Sequence, residues 1–371
     1  MIIKEQTMKQ TSNTFREYVR IIWAIAAKDI VEAVKNKNTL TVLISVLFIV
    51  GFYRMMPVLT NEDDAPCILL YDAGDSRLAT MLDNSDAVTL YSYPSEEKLY
   101  EYLGRGSVPE LGLVIPADFD QAVVNGDPLA LEGYVMYWVG KDDAAELEQF
   151  AKAHIAELLD APVDIRTAGN TVYMQPDSQG GAMAILGIIF VTIMIGIVMV
   201  PHLVIEEKKT KTMDALLISP AGPFEIAMGK AVSGLFYGML AIAVALALNS
   251  YLIRQWWMVV AAALFGSLFT IALGLLIGTF VETRQQLTIF AFPLIMLMFM
   301  PPALMMLGDL IPKWVIEICR WVPSSALFRL LRISFSNQSG FALYGSQFAL
   351  LLGSIIVAFA LVVWRLRQAD R

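Results

Sequence analysis

The chain has 371 residues, 57% of them hydrophobic and 17% charged, with a mean hydropathy of +0.59. That is more apolar surface than one water-soluble core can bury, so a bilayer must act as solvent and a soluble enzyme is excluded. The formal charge of −8 conceals an asymmetry, because Asn61–Gly180 carries 23 acidic and 6 basic residues while the remainder carries 12 and 21.

In chain order, the first predicted element precedes the first long apolar run. Phe15, Val19, Ile22, Trp23, Ala26, Ile30 and Val34 recur at steps of three and four, with Arg16, Arg20, Lys28, Asp29 and Lys35 mostly on other faces. This is an amphipathic helix, and its basic, Trp-bearing character suits a headgroup layer better than packing on protein.

Apolar runs at Thr39–Val58, Ala182–Val204, Val232–Ile253, Trp256–Phe280, Leu287–Leu307 and Leu343–Trp364 each reach the roughly 20 residues that span hydrocarbon. The first reads as an anchor, since no small-residue cleavage pattern follows it. Lys28, Lys35 and Lys37, then Lys208, Lys209 and Lys211, then Arg365, Arg367 and Arg371 flank the runs. By the distribution of Lys and Arg, both termini are cytoplasmic and the acidic segment is external. Its charge excludes nucleic acid as a partner. The segment Asp309–Ala342 departs from this rule, carrying Lys313, Arg320, Arg329 and Arg332 on the expected outer side.

The fold class expected is a polytopic α-helical membrane protein of six transmembrane helices with an extracytoplasmic α/β domain between helices 1 and 2. Its parts are a cytoplasmic N-terminus (1–38), helix 1 (39–58), the α/β domain (59–181), helices 2–6 (182–364) and a cytoplasmic tail (365–371). Within the domain, strand-like runs Cys67–Tyr71, Leu111–Ile115 and Leu131–Trp138 alternate with helical Ser95–Leu103 and Ala144–Leu159, enough for an independent core. Asp142, Asp143, Glu146 and Glu148 read as a solvated face and not a cation site, lacking an EF-hand pattern. His154 reads as a surface residue and His202 as a satisfied histidine near the interface.

The hairpin 309–335 reads as amphipathic, with Ile311, Trp314, Val315, Ile318, Trp321 and Val322 on one face, lying along the outer interface without crossing. Cys67 and Cys319 read as unpaired. Gly234 with Gly238 and Gly274 with Gly278 permit close helix approach, and the Met-rich fifth run (Met296, Met298, Met300, Met305, Met306) reads as ordinary packing. No paired acids or Ser/His arrangement within the runs supports hydrolysis.

The most informative segment is the loop 205–230, IEEKKTKTMDALLISPAGPFEIAMGK. Thr212–Ile218 reads as a short helix showing Met213, Leu216 and Leu217, broken by Ser219-Pro220, with a second helix starting at Pro223. Exposed apolar residues on such a helix suit a partner's groove. Glu206, Glu207, Thr212, Asp214, Leu216, Leu217, Ser219, Pro220, Glu225, Ile226, Gly229 and Lys230 resemble the cytoplasmic loop of ATP-binding-cassette exporter permeases of the type V fold. The likeness is closest to the sodium- or drug-extrusion branch. Ile311-Pro312-Lys313-Trp314 with Pro323 is similar to that family's extracellular hairpin.

The resemblance implies an inner-membrane permease subunit whose 212–218 helix docks on a separate ATPase. A second permease subunit, a copy or a paralogue, would complete the pathway, and a periplasmic adaptor is a further candidate partner. ATP and Mg would bind that ATPase and no cofactor this chain, which has no G-x-x-x-x-G-K-[ST] loop. The substrate expected is a hydrophobic or amphipathic small molecule, lipid or peptide moved outward. The alternative is a membrane-anchored sensor or envelope-assembly factor that moves no solute.

Overall fold

The computed structural model describes residues 16–31, 44, 48, 51–52, 65–105, 108–176, 181–209, 223–338 and 340–369. The first expected span, 39–58, lies outside the described residues except at 44, 48, 51 and 52, which are helical.

Among the described residues, five helices are long and apolar enough to cross a membrane: Ala182–Ile205, Phe224–Leu248, Trp256–Phe280, Arg284–Met306 and Phe341–Gln368. At a rise of about 1.5 Å per residue, each exceeds the ~30 Å of hydrocarbon. In chain order the helices are α1 (16–31), then α2 (Arg77–Asp83), α3 (Glu96–Leu103), α4 (Phe119–Asn125) and α5 (Lys141–Leu159) of the α/β domain. Next come α6 (Ala182–Met194), continued through a π turn (Ile195–Met199) into α7 (Val200–Lys209), α8 (Pro223–Leu248), α9 (Trp256–Phe280), α10 (Arg284–Met306), α11 (Lys313–Cys319), α12 (Pro323–Phe335) and α13 (Phe341–Ala369).

Helix α9 is the hub of the bundle, packing on α13, the π turn, α8, α12 and α7. Small residues allow this. A Cβ on Gly274 would lie 1.8 Å from the carbonyl oxygen of Gly196, so the two backbones touch where α9 crosses the π turn. Gly278 rests on Val204, and Gly234 of α8 on Val200 and Ile271. The glycine spacings thus work as close-approach sites, the usual device where lipid removes the hydrophobic drive between helices. Pro201 cannot donate an amide hydrogen bond and follows the π turn directly. Thr270 Oγ1 donates to the carbonyl of Thr192 just before the turn at 3.0 Å. Helix α10 is continuous through Pro293, Pro301 and Pro302.

The hairpin differs from its sequence reading. Trp314 and Ile318 of α11, with Trp321 in the turn after it, are 68%, 62% and 77% exposed. Helix α12 is instead buried along its length, with Leu327 against Gly266 of α9. Gly266 is ten residues into α9, which places that contact about 15 Å from the helix end. At 13 residues α12 is too short to cross, so it dips into the bundle and does not lie along its surface.

The α/β domain has strands β1 (Cys67–Asp72), β2 (Thr89–Tyr93), β3 (Leu111–Ile115), β4 (Leu129–Met136), β5 (Val163–Arg166) and β6 (Thr171–Val172). Their order is β2-β1-β3-β4-β5, with β6 on β4, and β3 with β4 is antiparallel while the other pairs are parallel. Because side chains alternate across a sheet, Ile68, Leu70, Leu113 and Ile115 join Leu78, Leu82 and Ile155 in one core. Leu69, Leu99, Leu103 and Met136 belong instead to the apolar cluster that runs into the spans. The domain therefore has a core of its own on one face and shares the other with the bundle.

Its seat is the end of the bundle formed by 249–255 and 333–338. The Tyr137 hydroxyl donates to the carbonyl of Leu252 at 2.5 Å and lies 3.0 Å from that of Phe335. Burial there holds the phenol's pKa well above its ordinary value despite Arg254 nearby. Gln255 Nε2 donates to the carbonyls of Ile333, Ser336 and Gln338 at 2.9–3.0 Å, and Gln338 donates to Gln175 at 2.7 Å.

Candidate functional site

The junction around 205–230 lies at the opposite end, where α7 leaves the bundle and α8 enters it. Thr212, Asp214, Leu216, Leu217, Ser219 and Pro220 lie outside the described residues, as does the expected 212–218 helix. Glu206 and Glu207 are helical, in the last turns of α7. Pro223 opens α8, where its fixed φ and missing N–H cost nothing. Glu225 follows in the first turn, favourably placed for the helix dipole, and is only 7% exposed.

From there one stripe of α8 (Ile226, Gly229, Lys230, Ser233, Tyr237), at helical spacing, carries helix α1. A Cβ on Gly229 would meet Ile25 at 2.7 Å, so α1 crosses α8 at this glycine. Beside the crossing, Lys230 Nζ lies 3.6 Å from Asp29 Oδ2, with both side chains about 5–6% exposed. Ser233 Oγ lies 3.3 Å from the same carboxylate oxygen and donates to the Lys230 carbonyl at 3.0 Å. Tyr237 OH donates to the carbonyl of Ile30. Charges so enclosed are tolerated when paired and hydrogen-bonded, and breaking one side is costly.

Helix α1 is thus as amphipathic as expected, but one face packs on protein. Ile25 and Ala26 are buried and Trp23, Val19 and Tyr18 exposed. Asp29, read as facing away, falls four residues after Ile25 on the packed face. Gly229 and Lys230 come together at the α1 crossing, while Glu225 is buried one turn earlier on α8. Asp29, Ser233 and Tyr237 complete that site and were not singled out, although polar residues on otherwise apolar faces are the available signal.

The remaining candidates are scattered. Cys67 and Cys319 are free, Cys67 with its thiol pushed up to about 11 by burial and then by Glu110. His154 shares a 2.8 Å hydrogen bond with Ser85 and His202 is partly buried in α7. Asp142, Asp143 and Glu146 are exposed on α5, while Glu148 accepts from Thr167. Among the described residues no group of three or more His, Cys, Asp or Glu is placed to hold a metal ion.

A bundle of long apolar helices with an α/β domain seated at one end has the build of a multi-pass membrane protein. A family model described as ABC-2 family transporter protein matches residues 37–364, and the chain belongs to that family. Membership makes it a permease component of an ABC transporter, not itself catalytic, and implies an ATPase partner. No curated protein matches the chain.

Proposed function

We propose that the chain is the permease subunit of an ATP-driven exporter of the type V fold, in the multidrug- or sodium-extrusion-like branch. It resides in the inner membrane with six spans, both termini cytoplasmic and the α/β domain outside. Two such subunits, identical or paralogous, form the pathway, with a periplasmic adaptor as a further partner of the domain. The cargo is a hydrophobic or amphipathic small molecule, lipid or peptide. Glu206, Glu207, Thr212, Asp214, Leu216, Leu217, Ser219, Pro220, Glu225, Gly229 and Lys230 form the coupling region, with ATP and Mg on the partner.

The observation that carries this reading is that α7 and α8, the helices that flank 210–222, both pack on α9, α7 through Val204 on Gly278 and α8 through Gly234 on Ile271. A push on that segment reaches two spans at once, and α1, clamped on α8 by Asp29 and Lys230, moves with them. A Leu216→Asp, Leu217→Asp chain is expected to insert normally and lose copurification of its ATPase. Retained copurification of the ATPase would remove the coupling assignment.

A further inference from the structure

The four cations that depart from the loop-charge rule converge. A cavity of about 420 Å³ opens at the α/β-domain end of the bundle, between α11, α12, the end of α10 and the start of α13. Lys313, Arg320, Arg329 and Arg332 line it, and among the described lining residues Glu317 is the one carboxylate, ion-paired with Arg320 at 2.6 Å. Lys313, Glu317 and Arg320 fall on one stripe of α11 at helical spacing, and Arg329 and Arg332 on one stripe of α12, so two cationic faces meet across the cavity.

The other walls are apolar: Met305 from α10, Ile311 and Ile316 from the hairpin, and Leu343 from α13. Beside the cationic stripe, Trp314 and Ile318 of α11 and Trp321 in the following turn are exposed. Exposed Trp residues beside the ends of two spans mark the depth of lipid headgroups. A cavity at that depth, cationic on one side and apolar on the other, matches a molecule with an anionic head and an acyl body.

We propose that this cavity binds a phosphate-bearing anionic amphiphile, its phosphate held by the guanidinium groups of Arg320, Arg329 and Arg332 with Lys313, and its acyl part against Met305, Ile316 and Leu343. Guanidinium groups take phosphate oxygens in pairs, and a phosphate offers more oxygens than a carboxylate for several guanidinium groups to share. Glu317 competes with the phosphate for Arg320. The proposal concerns binding alone and does not rest on the direction of transport.

The test uses the full chain in detergent, titrated calorimetrically with dioctanoyl phosphatidylglycerol, dioctanoyl phosphatidylcholine and inorganic phosphate. Phosphatidylglycerol is expected to bind about tenfold tighter than either of the others, a difference of about 1.4 kcal/mol. Arg329→Gln with Arg332→Gln is expected to lose about tenfold or more, consistent with loss of charge-assisted contacts. Lys313→Gln, at an exposed position that leaves the fold intact, should weaken binding by about threefold, and Glu317→Gln should tighten it by about as much. Equal affinity for the two lipids overturns the anion site, as does weaker or unchanged binding by Glu317→Gln. Inorganic phosphate binding as tightly as the lipid overturns the amphiphile. The measurement needs no ATP and no flux, so its failure leaves the permease reading untouched.

Discussion

The helical bundle and the α/β domain are both rich in apolar residues, yet they are held together differently. In the domain, Leu70, Leu113 and Ile115 are essentially removed from solvent, and transfer out of water supplies the drive. In the bundle that drive is absent, because the alternative environment is lipid. Contact is instead made through glycines, Gly196 on Gly274 and Gly229 under Ile25, and through a few enclosed polar contacts such as Thr270 to Thr192 and Lys230 to Asp29. Close approach therefore decides the effect of a substitution in the bundle, and burial and ionisation decide it in the domain.

The largest effect expected is at the α9 crossing. Gly274→Leu places a side chain where a backbone oxygen stands 1.8 Å from the Cβ position. It should abolish the monodisperse folded chain rather than cost the about 1–3 kcal/mol typical of overpacking. A wild-type elution profile and melting temperature would show that the glycine contact is not what holds the bundle.

Next is the α1 clamp. Lys230→Met leaves Asp29 enclosed without this partner and should cost about 3–5 kcal/mol, whereas adding Asp29→Leu should restore most of it. The readout is the apparent melting temperature of the three variants in detergent. If the double variant is as unstable as the two losses combined, the pair is not coupled and α1 is held by Ile25 and Ala26 alone.

The smallest effect belongs to the domain. Burial pushes the carboxyl of Glu110, just before β3, up to about 7, against about 4.3 in an unfolded chain. A raised acid contributes stability that is full below the unfolded value and is lost as pH rises through 7. Between pH 5 and pH 8 the loss should be about 1–2 kcal/mol after allowance for partial exposure. Glu110→Gln should flatten that slope, and a slope left unchanged would assign it to another group.

Much of the architecture is legible in the linear chain. Helix α10 runs Arg284–Met306 against an apolar run at Leu287–Leu307, and β1, β3, β4, α3 and α5 fall within a few residues of their runs. The short edge strands escaped. Thr89–Tyr93 and Val163–Arg166 lie among polar residues, and strands half-facing water carry little contrast. The run Val232–Ile253 overruns the end of α8, which stops at Leu248 before Asn249 and the 3-10 turn Ser250–Leu252. At the candidate site, Gly229 and Lys230 stand out by motif. Asp29 does not, because one acidic residue on an amphipathic helix looks like its solvated edge until a lysine is placed opposite.

Length, apolar content and charge by themselves determined that this protein lives in a membrane, and the loop 205–230 pointed to its transporter family. Both follow from short-range properties, namely run length against bilayer thickness and residue order within one loop. The tertiary structure alone decided that α1 docks on α8 and that α12 dips into the bundle. It also decided that Lys313, Arg320, Arg329 and Arg332 share one cavity. Those outcomes depend on which faces of distant helices meet, and helical periodicity sets a face without naming what will cover it.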